Sequence, residues 1–370
     1  MPLLVACLSL GLLTSMLVGL LTVRSSRLHA GLSADHDLSG PQKFHRRPVP
    51  RVGGVAISLG FSAAALSWFF IQPEQGRFIG ALWLCSLPAF LGGLWEDLTK
   101  RVSPGQRMMA LLAAALLASL WLGGTIDRTD IFLLDPLAQT LFGAVLLALF
   151  VVAGVTNSIN IIDGFNGLAS MCTMIMLAGL AIVAWTVGDS TIAVAALLLI
   201  AATLGLFMLN YPLGLIFLGD GGAYFLGFML AELGILLIAR NPGVSPLFPL
   251  VLCAYPVVET VFSMYRRKVL RGQPMDAPDG VHLHSLIYRR LIRWAMGSED
   301  ARELVRRNSL TAPYLWVACA LAVVPAVIWW NHSAMLAVFL LLFVVTYVAL
   351  YWRIVRFRTP RWLVRRHLTT

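Results

Sequence analysis

The dominant constraint on this chain is a recurrence. Runs of about twenty apolar residues return along nearly its whole length, with short polar breaks between them. A helix of ~20 apolar residues spans the ~30 Å hydrocarbon core of a bilayer, and only helices or closed barrels satisfy their own backbone there. Stretches of ~10 residues alternating apolar and polar, the mark of a barrel strand, do not occur. Hydrophobic residues make up 59% of the 370 and charged residues only 12%, which excludes an ordinary water-soluble globule. The expected fold class is all-α: a polytopic integral membrane protein forming one transmembrane domain over residues 1–370.

Eleven spans are read, at about 2–23, 51–71, 78–95, 105–123, 136–156, 167–187, 190–209, 221–239, 244–265, 312–330 and 334–352. The first has no basic leader and no small-residue cleavage site, so it reads as a mature helix rather than a signal peptide. Charge gives the orientation. Loops after odd-numbered spans are basic: Arg24, Arg27, Lys43, Arg46, Arg47 and Arg51 follow the first, and Lys100, Arg101 and Arg107 the third. Ten Lys and Arg lie between 266 and 307 after the ninth, and six arginines follow the eleventh. Loops after even-numbered spans are short or acidic, as with Asp127, Asp130 and Asp135 against Arg128. The positive-inside rule then places the N-terminus outside and the C-terminus in the cytoplasm. A net charge of +10 reads as this bias, with attraction to anionic lipid, and not as nucleic-acid binding. The one long loop, about 266–311, is expected to carry amphipathic helices near the interface. Cys7, Cys85, Cys172, Cys253 and Cys319 all sit inside apolar runs with no C-x-x-C pair, so no zinc site or disulfide framework is indicated.

On this topology four polar clusters fall at one membrane face: 95–100, 157–166, 210–222 and 279–290. Asp220 stands in FLGDGGAYFLG, where flanking glycines let backbone approach a ligand and free N–H groups for phosphate oxygens. That setting suits magnesium and a diphosphate, since magnesium takes few carboxylates plus phosphate oxygens and water; a plain helix cap is the simpler alternative. Asn157, Asn160, Asp163 and Asn166 recur every three residues, lining one face of a helix until Gly164 interrupts it. Such amides and carboxylates can read a nucleobase and a sugar. Glu96 and Asp97 close the third span as a general base, nucleophile or metal partner, or as a surface ion pair with Lys100 or Arg101. His282 and His284 share one side of an extended segment and can donate to phosphate or carry a proton. Arg46, Arg47 and Arg51 precede Gly53 and Gly54, an anion-contacting entry that permits close helix approach. Glu232 and Glu259 lie inside spans, either as functional acids or as partners of a neighbouring helix.

The segments HRRPVPRVGG, WEDLTK, NSINIIDGFNGLAS, FLGDGGAYFLG and DGVHLHSLIYRR, in this order between about 40 and 292, resemble the polyprenyl-phosphate N-acetylhexosamine-1-phosphate transferases. These form glycosyltransferase family 4, with WecA-like and MraY-like branches. The resemblance implies a multi-span helical enzyme of the inner membrane with its active site facing the cytoplasm. It implies transfer of an N-acetylhexosamine 1-phosphate, UDP-GlcNAc being the first choice of donor, to undecaprenyl or another polyprenyl phosphate. UMP is released, and the product starts a surface polysaccharide such as O-antigen. The implied cofactor is magnesium, with manganese a substitute, and its implied ligand is Asp220. Asp97 becomes the base or nucleophile, with Glu96, His284 and Asp220 also catalytic. Lys100, Asn157, Asn160, Asp163, Asn166, Asn210, His282 and Arg51 are implied substrate contacts. The partners implied are the UDP-sugar, the lipid phosphate and the bilayer, with a homodimer left open. Glu96 replaces an Asp found in many members, and Asn166 an Asp found in some branches. Ser285 replaces a third histidine, which favours the WecA-like branch over the MraY-like one. The alternatives are a UDP-MurNAc-pentapeptide phosphotransferase and, in another class, an ion-coupled transporter using Glu232 and Glu259. The lipid tail is expected in a groove among the third, fifth and ninth spans, with Glu259 about two turns inside.

Overall fold

The structure, a computed structural model, describes residues 1–26, 49–270, 272, 282–292 and 301–356, and the side chains of all of these except 291–292 and 301–307. Arg27, Lys43, Arg46, Arg47, Asp279 and most arginines of the tail lie outside the described residues. Besides a single helical turn at Asp135–Ala138, the α-helices in chain order are α1 Pro2–Arg24, α2 Gly53–Ile71, α3 Pro73–Thr99, α4 Pro104–Leu122, α5 Leu141–Ile162, α6 Leu168–Thr186, α7 Ser190–Asn210 and α8 Gly219–Arg240. They continue as α9 Leu247–Leu252, α10 Ala254–Tyr265, α11 Leu283–Ile287, α12 Ala301–Ile328 and α13 Ser333–Val355. Among the described residues ten helices are long and apolar enough to cross a membrane. The all-α, polytopic reading holds.

Local chemistry sets the helix ends. Ser103 and Gln106 form a reciprocal capping box at the start of α4, and Gly123, at φ 71°, ends it. Thr140 accepts the Gly143 N–H at the start of α5, and Asp189 the Ile192 N–H at the start of α7. The ninth expected span departs from the reading. It is not one helix but α9 and α10, parted at Cys253. Pro256 has no N–H to offer the Leu252 carbonyl, so the ladder is cut there; it resumes with Val257 N–H bonded to the Cys253 carbonyl. Hydropathy alone does not register this break.

The buried axis of the bundle is α8, where every residue from Gly221 to Ile238 is buried. It packs against α3, α5, α2 and α6. At its N-terminal end the packing is backbone against backbone. The N–H groups of Gly53 and Gly54 donate to the carbonyls of Phe217 and Leu218, both at 3.0 Å, and Phe217 N–H donates to the Pro50 carbonyl at 2.9 Å. A Cβ on Gly54 would strike the backbone of Gly222, and one on Gly93 would lie 2.6 Å from the Asp220 carbonyl oxygen. Glycine at these two positions lets α2 and α3 reach α8 closely enough to share one site. At the opposite end of α8, Arg240 pairs with the capping carboxylate Asp189 at 2.7 Å, and Arg128 donates to the carbonyls of Ile238, Asn241 and Val244. Asp189 is held below the usual carboxylate range: burial pushes it up, but bonds from Arg240, the Ile192 amide and Asn241 outweigh that.

Candidate active site

The N-terminal turn of α8 is where the polar clusters meet. Gly219 has φ 76°, and a Cβ there would collide with the Arg51 carbonyl, so glycine alone lets the chain pass beneath Arg51 and enter the helix. Asp220 follows, an acid in the first turn where the helix dipole favours it. Asp97, at the end of α3, is almost wholly buried, and its two carboxylate oxygens accept the N–H groups of Asp220 at 2.9 Å and Gly221 at 2.8 Å. It therefore caps α8 from a neighbouring helix.

The Asp220 carboxylate is turned outward and retains 16% of its exposure. Its Oδ1 accepts from Asn160 Nδ2 at 3.1 Å, and its Oδ2 from Arg107 at 2.8 Å. Arg51 lies between two acids, 3.5 Å from Asp220 Oδ1 and 4.0 Å from Asp97 Oδ1. Asp163, just past the end of α5, is a third acid here and receives the Gly219 amide. Its carboxyl is pushed up to about 7, by burial first, with Asp220 and Asp97 adding repulsion and Arg51 opposing them. One turn deeper, Asn157 faces Tyr224, whose hydroxyl is 3.5 Å from Asn157 Oδ1. The spacing of three thus does put Asn157, Asn160 and Asp163 on the side of α5 that meets α8.

The histidines approach from the α11 side. His284 packs edge-on against Phe165, with ring centroids 5.4 Å apart, and a Cβ on Gly164 would lie 3.2 Å from His284 Nε2. His282 stacks on His284 at 5.1 Å. Both rings are buried, and His284 lies beside the turn that carries Asp163.

Several expected site residues have contacts of another kind. Asn166 and Asn210 are buried. The Asn166 amide N–H donates to Asn308 Oδ1 at 2.8 Å and its Nδ2 to Ser309 Oγ at 3.3 Å. Asn210 accepts the Gly167 N–H and donates to the Ile216 carbonyl, fastening the 163–167 turn to the end of α7. Glu96 accepts the Val102 N–H at 2.9 Å and shapes the α3–α4 loop. Lys100 is exposed at the left-handed C-cap of α3, with φ 56°. Glu232 is fully buried on α8 against Gly124, twelve residues from Asp220, or about 18 Å along the helix. Glu259 is fully buried too.

Two residues of the site are absent from the sequence reading, Arg107 as a ligand of Asp220 and Tyr224. Arg107 did leave a signal. A cation in the first turn of a helix opposes the dipole, and such a placement calls for an acidic partner.

Fold and site together define a polytopic membrane protein with a compact acidic and basic centre at one end of its bundle, suited to binding phosphate groups and a cation. The chain belongs to glycosyl transferase family 4, whose profile matches residues 79–238. It is 30% identical over 251 residues to the "Probable undecaprenyl-phosphate N-acetylglucosaminyl 1-phosphate transferase" of Bacillus subtilis (strain 168), covering 67% of this chain and 68% of that protein. It is 27% identical to the undecaprenyl-phosphate alpha-N-acetylglucosaminyl 1-phosphate transferase of Thermotoga maritima over 264 residues, 70% of this chain and 74% of the relative. The enzyme of that name from Escherichia coli (strain K12) is 26% identical over 262 residues, 67% of each chain. These relatives do not favour the peptidoglycan or transporter alternatives.

Proposed function

We propose that the protein transfers N-acetylglucosamine 1-phosphate from UDP-N-acetylglucosamine to undecaprenyl phosphate and releases UMP. The observation that carries this is the meeting of Asp97, Asp163 and Asp220 with Arg51, Arg107 and Asn160 around one helix start. The names of the relatives support the substrates. An oxygen of the lipid phosphate attacks the β-phosphorus of the donor. The bond from that phosphorus to the oxygen bridging it to UMP breaks, and UMP leaves with the electron pair.

The residues fit magnesium. Three carboxylates converge with mutual repulsion, which a divalent cation relieves. Among the described residues no three His, Cys, Asp or Glu side chains form a cage of their own. Magnesium does not require one, because it completes a site of one or two carboxylates with phosphate oxygens and water. Asp220, the outward-facing acid, would hold it. When bound, the ion offsets charge on the diphosphate as UMP departs.

The chain's own groups supply the rest. Arg107 and Arg51 neutralise Asp220 in the structure and become anion donors once it holds a cation, drawing two phosphates together. Asp97 has both oxygens committed to backbone amides, so it positions Asp220. That supports direct attack by the lipid phosphate, which is largely ionised at pH 7 because its second pKa is about 6. Asn157, Asn160 and Asp163 line the donor side. The basic loops support a cytoplasmic active face in the inner membrane, with the N-terminus outside and the C-terminus inside.

The test uses purified protein, sugar-labelled UDP-N-acetylglucosamine, undecaprenyl phosphate and magnesium, with label counted in the solvent-extracted lipid. Asp220→Asn should cost ~10³-fold or more and Arg107→Ala roughly 10²-fold in rate, both with wild-type melting temperatures. Near-normal transfer by Asp220→Asn would remove the proposed centre.

A further inference from the structure

Glu259 takes no part in the chemistry above, yet it is fully buried and three donors converge on it. His282 Nδ1 lies 2.9 Å from Oε1, and the Leu283 amide donates to the same oxygen at 3.2 Å. The Tyr347 hydroxyl of α13 donates to Oε2 at 2.7 Å. Glu259 stands on α10 and its partners come from the start of α11 and from α13, so one carboxylate joins three elements. The contacts then run inward. His282 stacks on His284 with the rings 15° from parallel, and His284 stands over Gly164, the residue after Asp163.

From this geometry we infer that Glu259 is the positioning residue of the histidine motif. A carboxylate already accepting an amide and a hydroxyl accepts a hydrogen bond from His282 Nδ1–H as well, which fixes that ring's tautomer and its plane. The stack passes the constraint to His284 and holds its Nε2 against the Asp163–Gly164 turn. Glu259 touches no reacting atom in this scheme and acts only through the two rings. Tyr347 and the Leu283 amide keep the carboxylate from rotating away. An acid within the ninth hydrophobic segment is thus retained for geometry rather than for ion transport. The inference rests on the transfer reaction proposed above for its kinetic consequence, and on the contacts alone for its structural one.

Both consequences are tested on the full chain in detergent. For turnover, Glu259→Ala should lower kcat ~10–100-fold with the KM for UDP-N-acetylglucosamine held within about 3-fold. Glu259→Gln, which still accepts from His282 and Leu283, should recover most of that loss. The double variant Glu259→Ala/His282→Ala should be no slower than His282→Ala, because both break one chain of contacts. Wild-type kcat in Glu259→Ala, no recovery in Glu259→Gln, or losses that multiply in the double variant would each overturn the inference. The second measurement needs no turnover. In protein carrying 15N-histidine, the His282 ring, assigned by its loss in His282→Ala, should show a protonated Nδ1 that Glu259→Ala disturbs. An unchanged ring would overturn the inference even if no substrate were ever turned over, whereas a disturbed ring in an inactive protein would place the failure on the reaction.

Discussion

Asp163 shows what sequence spacing conveys about a single residue and what it leaves out. Its place in a run of period three announces a polar helix face, and the structure puts it beside Asp220 and Asp97. Its titration depends on neighbours that lie far away in sequence. A carboxyl raised to about 7 from its ordinary value favours the folded state while protonated, so that contribution is fully present below about pH 4 and is lost as pH rises through 7. In divalent-free buffer the wild-type melting temperature should therefore fall between pH 6 and 8 by more than that of Asp163→Asn, as thermal unfolding in detergent would record. Equal slopes would mean that burial and the neighbouring acids do not raise this carboxyl. Arg107 was hidden for a related reason: its partner is 113 residues away, and only its opposition to the helix dipole hinted at one. Asn166, read from its spacing, and Asn210, read from the family resemblance, also have partners that the sequence does not display: Asn166 bonds to Asn308 and Ser309, and Asn210 to the Ile216 carbonyl.

At the scale of elements, apolar length located ten spanning helices, because that signal is local. The broken ninth segment escaped because Pro256 within an apolar run leaves hydropathy untouched while cutting the ladder. Close helix approach was legible at Gly53 and Gly54 but not at Gly93, whose contact with Asp220 exists only once α3 and α8 are packed. Two glycine substitutions separate packing from propensity. Gly54→Ala drives a methyl into the Gly222 backbone and should cost about 1–3 kcal/mol, with transfer lost as α2 and Arg51 are pushed off Asp220. Gly80→Ala meets nothing within 4 Å and should gain up to ~1 kcal/mol from helix propensity. Melting temperatures of the two variants, side by side with their rates, check this. A tolerated Gly54→Ala would contradict the backbone contact.

For the whole molecule, alternation of spans brings the ends of α3, α5 and α7 to the start of α8. The site's position followed from counting helices, whereas its internal pairing did not. The side of the membrane it faces was read from basic loops, and it is directly measurable. All five native cysteines are buried, so single cysteines report without removing them. Arg101→Cys should react with an impermeant maleimide only from the cytoplasmic side. Phe132→Cys, in the loop after α4 and 90% exposed, should react only from the other. Labelling of both from one side would break the topology.

The reaction itself is decided by following one phosphorus atom. With UDP-N-acetylglucosamine labelled at the β-phosphate, undecaprenyl phosphate and magnesium, the labelled phosphorus should enter the lipid together with the sugar in equal amounts, leaving unlabelled UMP in water. Sugar in the lipid with the labelled phosphorus retained in UDP, or no labelled lipid at all, would contradict transfer of a sugar phosphate by this site.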